Sequence, residues 1–492
     1  MKHLFALVLI SAAILAGYGR SLNSYFCGYD DFAEIHRAQF EDSGDPLKIL
    51  TTTHFGTTKY RPVQRGLSFI TWTWGAHTAP PFRVRNLAFH LLVAYCIYGI
   101  GWFMLGAAVP ATIAGLFFGI HPLAHQSVIV ASWGVTAAYA FLFLSFFLFL
   151  YSLRCKHWAL ALTGSFASML LGLLTYEPVI VNFGFIALYL LLWWRQHQPL
   201  PRRYLPALAF GSGLTLTLFV VPRFIFVAQK TAVTPLGLIA KNLLVYAGAT
   251  LLPVDSLLAN SLWETPLPSQ VHLTRNLVLG LAAAGVALVL AFAYLLRQPL
   301  WRIRFKKLDW KTLGFFTVAT IACLSPYLVF TPHASETYLY SPIAFYSLIL
   351  TTALWRLLPG RSFFLAVGLL LTLAISGTLV RTENVIACAA TAEKIVSQFP
   401  VGRWGQGSWD VILASTPQEP PLHRYGIYGY HGLSTIDPME PGMPVAEWAA
   451  QLVAGNRALR VRVVQPDALP EQCTGSRECF RVLPNGDLEL VR

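Results

Sequence analysis

The sequence has few charged residues for its length. Only 12% of the 492 residues are Asp, Glu, Lys or Arg, whereas 55% are hydrophobic and the mean hydropathy is +0.55. A soluble domain carries about 25% charged residues. This shortage excludes a water-soluble globular protein and predicts an α-helical polytopic membrane protein.

Cysteine is also sparse, and the seven cysteines do not follow the spacing of a metal site. Cys96 and Cys323 lie in apolar runs, where we expect them to be buried. Cys473 and Cys479 lie close together near the C-terminus, and an oxidising compartment would allow a disulfide between them. Two free thiols are an equal alternative for that pair.

Acidic residues are the scarcer charge, with 23 Asp and Glu against 36 Lys and Arg and a formal net charge of +13. This excess does not indicate nucleic-acid binding, because the basic residues cluster in short loops between apolar runs. Such loops remain in the cytoplasm. The basic residues therefore report the topology of the chain.

Spanning helices need about 20 mostly apolar residues. The sequence predicts about eleven of them, of which the run that ends at His121-Pro122 is short. They lie near 3–19, 86–105, 107–121, 134–152, 157–175, 178–194, 205–222, 274–296, 311–330, 339–357 and 362–380. The first run also fits a cleaved signal peptide, which would leave the following loop on the same side.

The basic loops place the N-terminus inside and the C-terminus outside. We expect a membrane module over residues 1–381, with outer loops at 20–85 and 223–273, and an extracytoplasmic tail over 382–492. Within the second outer loop, residues 236–246 show helical spacing typical of a helix that lies on the bilayer.

The tail differs from the rest in composition, being rich in Pro, Gly and charge. Alternating patterns predict strands at 410–414 and 459–464, and a helix is expected near 383–398. We therefore expect a small α/β domain, with a role in acceptor recognition or as a lid.

An acidic pair, Asp30-Asp31, follows the first apolar run. Two adjacent carboxylates near a bilayer are unfavourable unless they have a partner or a function. Each candidate alone has a structural reading, such as a helix cap, a helix-end charge or an interface anchor. The predicted topology nevertheless brings many ionisable side chains to one face of the membrane. They are Asp30, Asp31, Lys59, Arg61, Arg65, His121, His125, Glu177, His333 and Glu336. A transporter would more often place such groups inside the spans.

The order of short motifs resembles the GT-C glycosyltransferases, which use polyprenyl-phosphate sugars. The closest resemblance is to bacterial relatives of the transmembrane TPR-containing O-mannosyltransferases and to protein O-mannosyltransferases. It covers roughly residues 20–400 and rests on Tyr29-Asp30-Asp31, Tyr60-Arg61-Pro62, Asn86-Leu87-Ala88-Phe89-His90, His121-Pro122 with His125-Gln126, Tyr176-Glu177, Leu251-Leu252-Pro253, and Glu336-Thr337-Tyr338-Leu339-Tyr340-Ser341-Pro342. This chain departs from the pattern where Gln126 replaces an acidic residue, Tyr176 a Lys and Thr337 an Arg, and its tail has no TPR repeats.

The resemblance implies a mannosyltransferase-like hexosyltransferase in the bacterial inner membrane, with its site on the extracytoplasmic side. It would move a sugar, with inversion, from a polyprenyl-phosphate donor to a hydroxyl of a protein, lipid or glycan acceptor. Asp31 or Asp30 would be the general base. Arg61, with Lys59 and Arg65, would bind the donor phosphate.

His121, His125, Glu177, His333 and Glu336 would contact sugar or phosphate. No cofactor is expected; a divalent cation is compatible with the carboxylates but not indicated. The expected partners are the donor, the acceptor and membrane lipids, without nucleic acid. The alternatives are a non-enzymatic lipid-linked glycan carrier or transporter, and a structural membrane protein.

The topology predicts that the loops holding Arg202 and Lys306 are cytoplasmic and that residue 492 is outside. A reporter that is active only outside the cytoplasm should work when it is fused after residue 492. A fusion there that is active only in the cytoplasm would contradict this topology.

Overall fold

The computed structural model describes most of the chain. The described residues are 2–26, 29–53, 59–131, 134–194, 202–227, 234–251, 299–306, 308–330, 336–415, 445–464, 466–474, 477–483 and 487–491. The predicted span near 274–296 lies outside these ranges.

Helices make up most of the described chain before the tail, and the longest of them are apolar. Those of the first part are α1 (Lys2–Tyr18), α2 (Tyr29–Arg37), α3 (Lys48–Thr51), α4 (Pro62–Trp74), α5 (Pro80–Leu105), α6 (Ala108–Gly119), α7 (His125–Ile129), α8 (Val135–Ser152) and α9 (Trp158–Thr175). Those that follow are α10 (Val181–Trp194), α11 (Tyr204–Phe226), α12 (Leu236–Leu251), α13 (Pro299–Lys306), α14 (Trp310–Phe330), α15 (Tyr340–Leu357) and α16 (Gly360–Ser397).

Seven of the described helices are long and apolar enough to cross a bilayer, and an eighth is added if α6 and α7 form one bent span. The chain is therefore a multi-pass α-helical membrane protein. Most of the described spans begin and end close to the predicted runs, but α16 continues to Ser397, beyond the run predicted near 362–380. The total of about eleven stays a prediction. The predicted helix at 236–246 is present as part of α12, and its position on the bilayer stays a prediction.

The helix that follows α5 is interrupted at His121-Pro122. α6 ends at Gly119, and the chain resumes over Pro122–Ile129 at an angle of 51°. Proline lacks the N–H that a helix interior needs, and it disfavours helical backbone in the preceding residue. His121 is accordingly extended, with φ −73° and ψ 127°. The short span predicted here is thus a bent helix pair.

Close packing of α1 against α6 depends on two glycines one helical turn apart. A Cβ atom on Gly115 would lie 2.8 Å from Ile10 Cδ1, and one on Gly119 would lie 2.8 Å from Ile14 Cδ1. Small residues at this spacing allow membrane helices to approach closely. Cys96 and Cys323 are buried in the same apolar core, as predicted.

The tail contains a small sheet with helices. Its elements are α17 (Val401–Trp404), β1 (Asp410–Ser415), α18 (Val445–Ala454), β2 (Arg460–Val464), α19 (Leu469–Gln472), β3 (Glu478–Val482) and β4 (Leu488–Leu490). The strand order is β2-β1-β3-β4, with β1 parallel to β2 and β3, and β4 antiparallel to β3. Both predicted strands and the predicted α/β class are confirmed.

The structure also bears on the predicted cysteine pair and the predicted helix of the tail. Cys473 and Cys479 are joined by a disulfide, which selects one of the two alternatives. The helix expected near 383–398 is present as the last part of α16, which runs without interruption from Gly360 to Ser397. The last apolar run therefore continues straight into the tail, and a division of the chain at residue 381 stays a prediction.

A buried ion network holds the loop between α1 and α5. Arg37 lies 2.6 Å from Glu34 and 3.4 Å from Asp42, and Arg65 lies 2.5 Å from Asp42. All four side chains are at most 3% exposed. Buried charges require such pairing because they have lost their hydration. Asp42 therefore joins the π-helical turn after α2 to α4.

Asp42→Ala should lower the free energy of unfolding by about 3–5 kcal/mol, because it leaves two buried guanidinium groups without their shared carboxylate. Glu489→Ala removes an exposed pair with Arg481 and should lower it by less than about 1 kcal/mol. Denaturant unfolding of the purified protein in detergent would measure both. Equal losses in the two variants would show that the buried network stabilises the fold no more than an exposed ion pair does.

Candidate active site

The acidic pair lies in the first turn of α2. Negative side chains are favourable there because of the helix dipole. The Asp31 side chain is buried, and its charge, like that of Glu34, acts on Arg85 at the start of α5. Asp30 lies in the same turn, and its side chain is outside the described part. A neighbouring guanidinium favours the ionised form of a carboxylate, which is the form that can accept a proton.

Polar residues at the start of α5 fix the segments around the acidic pair. Arg83 donates to the carbonyl oxygens of Ser24, Tyr25 and Ile129. Arg85 Nη2 donates to Ala131 O at 2.8 Å, and Asn86 Nδ2 donates to Val130 O at 2.6 Å.

The segment that leads into α2 is thereby tied to the segment that follows α7. The arginines were missed in the sequence, although the run Arg83-Val84-Arg85-Asn86 at the edge of a span was a usable signal.

A second group of charges surrounds Glu177, and we call Arg61, Glu177 and Arg223 the Glu177 cluster. Arg61 donates from Nε and Nη2 to Glu177 Oε2 at 3.0 and 2.7 Å. Arg223 Nη1 donates to Glu177 Oε1 at 3.1 Å. The Arg61 guanidinium also lies 4.4 Å from the ring centre of Tyr176. One carboxylate thus holds two guanidinium groups in fixed positions.

Three separate stretches of the chain form this cluster. Arg61 precedes Pro62, the first residue of α4. Glu177 lies in the turn between α9 and α10, and Arg223 lies in the last turn of α11. Tyr60 stacks on Phe226 of α11, with ring centres 5.4 Å apart. The predicted residues Arg61 and Glu177 are therefore brought together. Arg223 joins them and was not among the predicted site residues.

The electrostatics of the cluster favour its charged form. Burial raises the pKa of Glu177, but the charges of Arg61 and Arg223 and the hydrogen bonds lower it, and the net pKa lies below the ordinary value. Burial lowers the pKa of Arg61, whereas Glu177 raises it, and the net pKa is raised. Two cations and one anion leave the cluster with a net positive charge. The side chains are 12–28% exposed, so an anion can reach them.

Tyrosines connect the cluster to the other motifs. Tyr327 forms a hydroxyl hydrogen bond with Tyr139 and stacks on Tyr338, with ring centres 4.3 Å apart. Tyr176 lies beside Tyr327, with ring centres 6.2 Å apart. A continuous aromatic layer therefore extends from Arg61 to the motif that begins at Glu336.

His90, the last residue of the Asn86–His90 motif, connects that motif to Tyr340. Its Nε2 donates to Gly119 O at 2.9 Å, so Nδ1 of the neutral ring accepts the Tyr340 hydroxyl at 2.7 Å. Tyr139 also stacks on Tyr340, with ring centres 5.7 Å apart. Motifs far apart in sequence thus meet in one region of the fold.

The remaining predicted site residues have other surroundings. Arg65 belongs to the buried ion network and also donates to Lys48 O and Thr52 O at 3.0 Å. Lys59 is exposed.

His121 and His125 are buried in the turn that they form with Pro122. His121 Nδ1 accepts from Leu123 N at 3.3 Å, and His125 Nδ1 lies 2.8 Å from Pro122 O. His333 lies outside the described residues, and of Glu336 only the backbone, at the start of a 3₁₀ turn, is described.

Metal binding has limited support in the described residues. Among them, no three His, Cys, Asp or Glu side chains are arranged to hold an ion. The set does not include the side chains of Asp30, His333 and Glu336.

Comparison with solved structures finds partial structural similarity at low sequence identity. No family model and no curated protein matches the chain. An oligosaccharyltransferase from Archaeoglobus fulgidus, solved with zinc and sulfate, has a TM-score of 0.46 and 12% identity over 94% of this chain and 62% of that chain. This chain therefore spans about three fifths of that enzyme's length.

Two other solved structures are similar to the same degree. The archaeal oligosaccharyltransferase AglB in complex with an inhibitory peptide and a dolichol-phosphate has a TM-score of 0.44 and 13% identity over 99% of this chain and 74% of that chain. ArnT from Cupriavidus metallidurans has a TM-score of 0.44 and 15% identity over 96% of this chain and 92% of that chain. Both kinds of neighbour are GT-C enzymes. The finer resemblance to O-mannosyltransferases stays a prediction.

Arg61→Gln should raise the pKa of Glu177, because burial remains while the nearest positive charge is lost. The infrared band of the protonated carboxyl should then appear at a higher pH than in the unchanged protein, where the pKa of Glu177 lies below its ordinary value. Glu177→Gln identifies the band, and Arg481→Gln in the tail is the control.

The lowered pKa of Glu177 determines how stability depends on pH. The contribution of the ionised Glu177 is present above its unfolded pKa and is lost as the pH falls through its folded pKa. Identical titrations in the unchanged protein and in Arg61→Gln would contradict the pairing.

Proposed function

We propose that this protein is a membrane glycosyltransferase that moves a sugar from a polyprenyl phosphate to an acceptor hydroxyl on the extracytoplasmic face. The observation that carries the proposal is the Glu177 cluster, in which a net positive pair of guanidinium groups lies at the ends of apolar helices. The segment that supplies Arg61 belongs to the same loop as the buried carboxylate of Asp31. An anion-binding group and a proton acceptor are the two elements that this transfer requires.

Phosphate binding would use Arg61 and Arg223. A guanidinium offers five N–H donors, whereas the contacts with Glu177 use two from Arg61 and one from Arg223. Its planar fork fits phosphate oxygens in a bidentate manner. Both groups are already oriented by Glu177, so the leaving phosphate meets preorganised charge where its own negative charge develops. Arg65 is less suited, because its donors hold the surrounding loop.

The lipid chain of such a donor needs an apolar surface beside its phosphate. Phe224 and Ile225 directly follow Arg223 and are 84% and 68% exposed, and Leu236 at the start of α12 is 83% exposed. In a membrane protein these side chains face lipid. The arrangement suits an isoprenoid that lies along α11 and α12 with its phosphate at Arg223.

The direction of the helices supports an extracytoplasmic site. α9 and α11 run from the predicted cytoplasmic loops, which hold Lys156 and Arg203, to Glu177 and Arg223. The Glu177 cluster therefore lies at the ends of these helices opposite to the basic loops.

Chemistry would occur in one displacement at the anomeric carbon. Asp31, or Asp30, takes the proton of the acceptor hydroxyl as its oxygen bonds to that carbon. The bond from the anomeric carbon to the phosphate oxygen breaks at the same time, and the polyprenyl phosphate leaves. Attack from the face opposite to the leaving group inverts the configuration of the sugar.

Asp31→Asn should reduce sugar transfer by about 10²–10⁴-fold, the usual contribution of a general base. The assay measures polyprenyl phosphate released from a panel of polyprenyl-phosphate sugars with membrane extracts as acceptor. Asp45→Asn is the control and should keep its rate, because Asp45 is a half-buried carboxylate of the same loop that accepts only from Leu47 N among the bonds described. Normal transfer by both Asp31→Asn and Asp30→Asn would refute the assignment of the base.

Arg61→Lys should raise the donor KM by about tenfold or more, because a hydrogen bond to a charged group contributes about 1.5–3 kcal/mol and Lys lacks the fork. Arg223→Lys should act in the same direction. Arg65→Lys should lower stability while the folded fraction keeps its donor KM. The opposite pattern, with Arg61→Lys silent and Arg65→Lys raising KM, would show that Arg65 binds the phosphate.

A further inference from the structure

The two faces of α2 have different environments. Phe32, Ile35 and His36 share one face, because residues three and four apart in a helix lie side by side. Asp31 and Glu34 are centred roughly 120° away around the helix axis, and both interact with Arg85. The rotation of α2 about its own axis therefore decides where the Asp31 carboxylate points.

The tail packs on the first of these faces. Phe32 and Ile35 belong to the same buried apolar cluster as Ala446, Ala449 and Ala450 of α18. His36 is 8% exposed, and its Nε2 lies 2.6 Å from Oε1 of Gln451, which is 2% exposed. The His36 ring also faces Trp448, with ring centres 6.0 Å apart. The contact is thus apolar with one buried hydrogen bond.

The direction of that hydrogen bond is set by the tail. Gln451 Nε2 donates to Glu447 Oε1 at 3.2 Å, Arg457 O at 3.1 Å and Leu459 O at 2.7 Å. These three acceptors fix the amide so that its oxygen faces α2. His36 Nε2 must therefore carry a proton and donate. Burial lowers the pKa of His36, and the ring is accordingly neutral, with its proton on Nε2.

We propose that α18 sets the rotation of α2 through the His36–Gln451 hydrogen bond, and that these two are positioning residues for Asp31. The role of Asp31 itself rests on the proposed function. Side chains extend about 5–6 Å from a helix axis, so a rotation of roughly 10° moves the carboxylate by about 1 Å. A displacement of that size can reduce a rate about 10²-fold. The tail thus acts on the base, which is a different role from a lid.

Two kinds of substitution test this role. Gln451→Ala removes the acceptor, and His36→Asn places its amide near the Nδ1 position and loses the bond. His36→Gln places an N–H donor near the Nε2 position and should retain it. Asn456→Ala is the matched control, because Asn456 Nδ2 donates to Trp404 O and Gly407 O, both within the tail.

Hydrogen–deuterium exchange and transfer kinetics on the full-length protein give the readouts. We expect faster backbone exchange over residues 29–37 in Gln451→Ala and His36→Asn, with residues 135–152 unchanged. With the donor that the unchanged protein uses, kcat should fall about tenfold or more while the donor KM stays within about twofold. His36→Gln and Asn456→Ala should behave like the unchanged protein.

Normal exchange over 29–37 in Gln451→Ala, or a normal kcat in that variant, would overturn the proposal. An equal fall in kcat in all four variants would also overturn it, because the substitutions would then act by destabilising the fold in general. If the unchanged protein transfers no sugar, the proposed function fails, and exchange alone then decides whether α18 holds α2.

Discussion

Pairing of carboxylates with guanidinium groups at one end of the helix bundle is the interaction on which the site depends. Glu177 joins Arg61 to Arg223 and thereby connects the first loop, the turn after α9 and the end of α11. Asp42 joins Arg37 to Arg65 in the same way and shapes the loop that carries α2. In low dielectric surroundings each partner would be unfavourable alone, so the pairs specify the arrangement as a whole.

The different roles of the basic residues follow from their burial. Arg65 is fully enclosed and holds the loop, whereas Arg61 and Arg223 keep some exposure together with an excess of donors. Arg83 and Arg85 tie the segment that leads into α2 to the segment at the end of α7. A site built in this way has its charges in place before a substrate binds, which lowers the reorganisation that the reaction would otherwise require.

Much of the architecture could be predicted because it follows from local composition. Runs of about 20 apolar residues are sufficient to place helices, whereas the histidine–proline step marked the end of a short run and the structure shows that the chain bends there. Local pattern also predicted both strands of the tail, through a short apolar run at 410–414 and clear alternation at 459–464. The continuous α16 was missed because a change from apolar to polar composition resembles a boundary, although a helix can cross it without a break.

The site could be predicted only in part, because its specific contacts are long-range. Arg61 and Arg65 are one helical turn apart and chemically identical, and only the fold shows that Glu177 receives one and Asp42 the other. Arg223 has the appearance of an ordinary helix-end charge until α11 is placed beside Glu177. The contact between His36 and Gln451 joins residues 415 positions apart and leaves no pattern in the sequence.

A structure of the protein in lipid nanodiscs with bound undecaprenyl phosphate, determined by electron cryomicroscopy, would test the central claim most directly. The account predicts phosphate oxygens at about 3 Å from the guanidinium nitrogens of both Arg61 and Arg223. It also predicts that the lipid chain runs along α11. A phosphate bound elsewhere, with Arg61 and Arg223 still engaged only by Glu177, would contradict it.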